Sequence, residues 1–90
     1  MAACDNLPRI ETGSQRATDP VYKHFVKTVQ ALMFVHNAWP AGTDFNATVD
    51  GQFGNVTKWH LAAWQDAAGL KARGEQGFVG PLTWRHFYGL

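Results

Sequence analysis

From Tyr22 onward the apolar residues Tyr22, Phe25, Val26, Val29, Leu32 and Met33 recur at three- and four-residue steps. That spacing lays one apolar stripe along a helix. Asp19 stands where a carboxylate can cap the first free N–H groups, and Pro20 suits the first helical position, where a missing N–H is no loss. Asn37, Pro40 and Gly42 end the run, and residues 38–49, with Trp39 and Phe45 among them, read as a loop. Residues 1–19 show no period of two or 3.6. Leu7 and Ile10 are isolated among Asp5, Asn6, Pro8, Arg9, Glu11, Gly13 and Ser14. The pattern divides the chain into an irregular N-terminal arm, 1–19, and a helical domain, 20–90. Such an arm is mobile unless it packs on its own domain or on a neighbouring chain.

The rest of the chain says one thing twice. "DGQFGNVTKWHLAAWQDAAGL" runs from Asp50 to Leu70, and "QGFVGPLTW" from Gln76 to Trp84. In each phrase a tight turn (Asp50-Gly51, Gln76-Gly77) leads to an apolar plug for the core (Phe53, Val79). A glycine then admits the chain to a helix (Gly54, Gly80). Thr57 and Thr83 fall in the first turns, where a hydroxyl can satisfy open backbone groups. Gly69 is placed to end the middle helix in a left-handed cap, with Leu70 folding back on the last turn. The expected fold class is all-α: a compact three-helix bundle with two short turn segments.

Composition narrows what such a domain can do. Ninety residues, 46% of them apolar and including four Trp and six Phe, close one core. The charged share, 17%, is low enough to suggest that a partner covers some apolar surface. A net charge of +1 from scattered residues provides no stripe for phosphates and no polybasic run, so neither nucleic acid nor an anionic membrane is expected as partner. No apolar run approaches the roughly 20 residues of a membrane span, and the first residues lack the order of a signal peptide. Synthesis in a bacterial cytoplasm without a signal peptide is the expectation. The lone Cys4 has no partner for an internal disulfide and reads as a bystander thiol.

With the two phrases in view, the chain resembles the peptidoglycan-binding-domain-like repeats of cell-wall hydrolases and phage lysins. Val26, Val29, Gln30 and Met33 carry the first block of that resemblance. Asp50, Gly51, Phe53, Gly54, Thr57, Leu61, Trp64, Gln65, Gly69 and Leu70 carry the second. Gly77, Val79, Gly80, Thr83, Trp84 and Phe87 carry the third. The likeness covers about residues 21–88 and implies the three-helix fold and a role in holding peptidoglycan. Four departures surround the turns. His60 replaces a small apolar residue, Gln76 replaces an aspartate, "KARGEQ" lengthens the link after Gly69-Leu70, and the 38–49 loop is expanded.

The candidate chemistry is binding. His24, His36, His60 and His86 lack metal-ligand spacing, so no metal and no cofactor are expected. Glycoside cleavage needs two carboxylates about 5 to 9.5 Å apart across a cleft. A bundle this small rarely encloses one, and no catalytic residue is assigned. A sugar presents flat C–H faces edged by polar groups, which aromatic rings and amides can cover. Trp59, beside Lys58, and Trp39, in the loop before Pro40, are the candidate ligand-binding rings, with incidental exposure as the alternative. Gln52 and Asn55 are the candidate polar rim. Trp64 and Trp84 hold motif positions and read as core.

Two functions from different classes follow. The first is a non-catalytic peptidoglycan-binding module, displayed in many copies on a bacteriophage particle so that avidity offsets weak single contacts. The second is a virion structural protein, a capsid decoration or tail component, that uses the fold for protein contacts without glycan. In both, residues 1–19 are the expected contact with other virion proteins. A small cell-wall hydrolase is the third reading.

Overall fold

The computed structural model describes residues 6–90. Cys4 and the first part of the expected arm lie outside the described residues. Among the described residues four α-helices form: α1 (Pro20–Val35), α2 (Phe45–Thr48), α3 (Asn55–Ala67) and α4 (Pro81–Phe87), with a 3-10 turn at Lys71–Arg73 between the last two. The all-α class holds, with four α-helices where three were expected. The extra one, α2, is a single turn within the segment read as a loop. Asp44 starts it, its side chain accepting from the Asn46 N–H.

Helix α1 begins and ends as its sequence dictates. Asp19 accepts from the Val21 N–H, and Pro20 opens the first turn. Asn37 takes the left-handed conformation at φ 58°, and the Ala38 N–H closes the end on the Met33 carbonyl at 2.7 Å. Tyr22, Val26, Val29 and Met33 are buried along the stripe, while Phe25 and Leu32 pack half-buried at its edges. Helix α3 ends in the left-handed Gly69, and the Leu70 N–H reaches the Gln65 carbonyl at 2.8 Å. Phe53 and Val79 enter the core as expected.

Of the two alternatives for the arm, residues 7–11 take the first and pack on their own domain. Ile10 is wholly buried and pairs with Val79 in an isolated antiparallel bridge, its N–H donating to the Val79 carbonyl and its carbonyl accepting from the Val79 N–H. Trp84 Nε1 donates to the Pro8 carbonyl at 2.8 Å, and Tyr22 Oη lies against both backbone groups of Glu11. Arg9 covers the Phe78 ring at 3.9 Å. Two isolated apolar residues carry no period, so the pattern hid a segment whose role is to close the core.

Each of the two turns is held by a glutamine from the preceding long helix. Gln30 of α1 is wholly buried; its amide nitrogen donates to Asp50 Oδ1, the Gln52 carbonyl and Thr57 Oγ1, and its oxygen accepts from the Asp50 and Gly51 N–H groups. Gln65 of α3, equally buried, donates to the Phe78 carbonyl and Thr83 Oγ1 and accepts from the Gly77 N–H at 2.7 Å. An amide both donates and accepts, so one side chain satisfies a turn that has no strand beside it. The threonine hydroxyls serve these glutamines, where a role toward open backbone groups was expected.

Candidate functional site

The first turn lies between two grooves. One, about 360 Å³, is lined by Glu11, Ser14, Tyr22, Lys23 and residues 51–54. The other, about 300 Å³, is lined by Trp39, Thr43, Thr48, Asp50, Val56, Thr57 and His60. The second groove mixes ring faces with hydroxyls and a carboxylate, the combination that polar ligands with apolar faces require. The Trp39 and His60 rings lie 5.4 Å apart at a 55° tilt. His60 thus supplies one wall of this groove.

The four expected ligand-binding residues are not gathered into one site. Gln52 lines the first groove and Trp39 the second, while Asn55 and Trp59 line neither. Trp59 stands 65% exposed on α3, one helical turn beyond the exposed Asn55. Trp39 is corrected. Only 8% of it is exposed, because Phe34 packs against its ring and its Nε1 donates to the Gln30 carbonyl at 3.0 Å. It is core with an edge on the groove. Its loop position pointed outward; the indole N–H had a partner inside.

The starts of α3 and α4 differ in one respect. Before α4 the buried Glu75 accepts from the N–H groups of Gly80, Leu82 and Thr83 and from the Thr83 hydroxyl, at 2.8 to 3.1 Å. A carboxylate is favoured there by the partial positive charge of a helix start. Gly80 makes the room: a Cβ on it would stand 2.7 Å from a Glu75 oxygen. Before α3 the residue at the matching place, two before the turn glycine, is Val49. Gly54 has no side-chain cap, and a Cβ there would meet nothing within 4 Å. Sequence reasoning passed over Glu75, whose signal was an acid five residues before a glycine-proline helix start.

The other motif residues are structural. Asp50 accepts from the Gln52 N–H at 2.9 Å and from Gln30, which fixes the first turn. Trp84 is buried in the core, and Trp64 stacks on Phe87 at 4.8 Å and 6°. His36 and His86 border Trp64, and His36 Nε2 lies 2.9 Å from the Phe87 carbonyl. Among the described residues, no three His, Cys, Asp or Glu side chains gather as a metal ion needs, and no helix is long and apolar enough to cross a membrane.

Comparison with models of known protein families, with curated proteins and with solved structures gave no match.

Proposed function

We propose that this chain is a non-catalytic cell-wall binding module that holds peptidoglycan, built as the three-helix bundle of α1, α3 and α4 that its resemblance implies, and displayed in many copies on a bacteriophage particle. The observation that carries the reading is the paired locking of the turns by Gln30 and Gln65. Both glutamines belong to the motif blocks that suggest the family, and their roles explain why those blocks contain Gln, Gly and Thr together. The exposed Trp59, with Asn55 one helical turn before it, offers a ring face and an amide of the kind a sugar requires. A non-catalytic role fits the use of the acids. Asp19 and Asp44 cap helices, Asp50 fixes a turn, and Glu75 is buried beneath α4.

Co-sedimentation with purified sacculi tests this reading. The protein is expected to pellet with sacculi, and Trp59→Ala is expected to weaken retention without lowering stability. Absence of retention at any protein concentration that remains soluble would sink it. Clearing of the sacculus suspension would instead support the hydrolase reading.

One observation favours the virion structural reading. Val35, Val56, Trp59 and Leu90 are all more than half exposed, and apolar side chains of that size suit protein contacts. Residues 7–11 pack on their own domain, so contacts with other virion proteins would fall on such side chains or on the remaining residues of 1–19.

A further inference from the structure

We propose that the second groove binds a primary ammonium group carried on an alkyl chain, with Asp50 as its counter-charge and the groove's apolar side chains covering the methylenes. Trp59 and Asn55 do not line this groove, and the proposal does not depend on the wall-binding reading.

Asp50 supplies a charge that is already held in place. Its Oδ1 accepts twice, from Gln30 Nε2 at 3.0 Å and from the Gln52 N–H at 2.9 Å. Its Oδ2 accepts from no group among the described residues, and the ion pairs found there, Arg9–Glu11 and Arg16–Asp19, do not include it. A carboxylate fixed through one oxygen loses little freedom when the other takes an ammonium donor.

The rest of the lining selects the sign and shape of the ligand. Among the described residues no lysine, arginine, asparagine or glutamine lines the groove. Lys23 and Lys27 flank Gly51, which lines the first groove and not the second. The remaining ionisable side chain is His60, whose ring nitrogens have no hydrogen-bond partner among the described residues. The start of α3, at Val56 and Thr57, adds a positive partial charge of roughly half a unit, which one full carboxylate outweighs. A sugar would need an open ring face for its C–H groups. Trp39 gives none, because Phe34 packs on its ring, its Nε1 turns inward to the Gln30 carbonyl and only 8% of it is exposed. A run of methylenes needs less. It can lie against what remains of Trp39, against the His60 ring, and against Pro40, Ala47 and Val56. The volume, about 300 Å³, is at the small end for ligand sites, and the contacts are few, so binding is expected at about millimolar concentration.

Chemical shifts of ¹⁵N-labelled full-length protein provide the test, at about pH 7.5, where a primary alkylamine is charged. Butylammonium is expected to shift the Trp39 indole N–H and the Thr48, Asp50 and His60 amides saturably. Butanol, its neutral counterpart, and sodium chloride at equal ionic strength are expected to leave them still. Tighter binding of Nα-acetyllysine methylamide than of alanine methylamide identifies a side-chain amine as the source, and the reverse order a chain terminus; either order supports the site. Asp50→Asn keeps an oxygen for Gln30 and the Gln52 N–H and loses the charge, so the saturable response should vanish while shifts elsewhere keep the native pattern. Val56, 60% exposed, gives a second test that does not touch the turn. Val56→Glu should tighten butylammonium binding and Val56→Lys weaken it, each by about twofold to fivefold, the range of an exposed ion pair. No saturable shift, an equal response to butanol or sodium chloride, tighter binding of N-acetylglucosamine at the same amides, or equal affinity in the two Val56 variants would each overturn the proposal. Sacculus retention is a separate measurement: retention without an ammonium response leaves wall binding standing and this site refuted, and the reverse result does the opposite.

Discussion

Glu75 and Gly80 are fitted to each other: the glycine's missing side chain is the space in which the glutamate's carboxylate sits, 2.7 Å from where a Cβ would be. The glycine is required by proximity, since its φ of −111° is open to any residue. We expect Gly80→Ala to push the carboxylate off the Gly80, Leu82 and Thr83 amides. Charge-assisted bonds contribute about 1.5–3 kcal/mol each, so the loss should be about 2 kcal/mol or more. Gly54→Ala, at φ −92° with open space, should change stability by no more than about 1 kcal/mol. Urea unfolding of the two variants side by side checks the contrast; equal losses would remove the fitted pair as its cause.

Gln65→Leu keeps the volume of the buried amide approximately and removes its hydrogen bonds to Gly77, Phe78 and Thr83. The turn groups would then be buried without partners, at about 1–3 kcal/mol for each unsatisfied group. We expect a loss of about 3 kcal/mol or more, and a similar loss for Gln30→Leu at the first turn. Thermal unfolding followed by near-ultraviolet circular dichroism would show whether either glutamine is dispensable.

Ile10→Ala tests whether the N-terminal segment belongs to the fold. Its side chain is wholly buried against the core, and truncating a buried isoleucine costs about 2–5 kcal/mol. A free arm would show no change. The measurement is the urea midpoint, with slope compared to ensure that two-state behaviour is kept.

Trp39 and Trp59 should separate cleanly. Trp39→Ala removes a buried ring and its bond to the Gln30 carbonyl, at about 3–5 kcal/mol. Trp59→Ala alters an exposed ring and should leave stability within about 0.5 kcal/mol. Differential scanning calorimetry of both variants decides the matter before any binding experiment is interpreted.

The cap of α1 carries a pH signature. The Val21 N–H, chiefly, holds the Asp19 carboxyl below its ordinary value, with the Arg16 side chain contributing in the same direction. A carboxyl lowered on folding stabilises above its unfolded value of 3.8 and loses that contribution as pH falls through the folded one. Asp19→Ala should therefore lower the unfolding temperature at neutral pH, by an amount that shrinks in strong acid. A difference that stays constant down to pH 2 would assign the cap's effect to something other than its charge.

Much of the frame is legible from residue spacing alone. Asp19-Pro20 marks the start of α1 and Gly69-Leu70 the end of α3, because caps are local and their chemistry is written in adjacent residues. The two turns are legible for the same reason. What spacing does not reveal is reach across the fold. Ile10 finds Val79, Trp39 finds the carbonyl of Gln30, and Glu75 turns forward beneath a helix that has not yet begun. Each is a single residue with no period. Nothing in the spacing of the four expected ligand-binding residues says that Trp59 on α3 lies outside the groove that Trp39 borders.

The bond from Trp84 to Pro8 spans 76 positions, and the Ile10–Val79 bridge spans nearly as many. During translation residues 8–10 must wait, unsheltered, until residues 79–84 have left the ribosome before their partners exist. Helices α1 and α3 can form sooner, because their contacts are near neighbours. Closing so long a loop carries a larger entropic penalty than forming either helix. Docking Pro8 and Ile10 onto Trp84 and Val79 is thus the closure with the largest entropic cost in this domain.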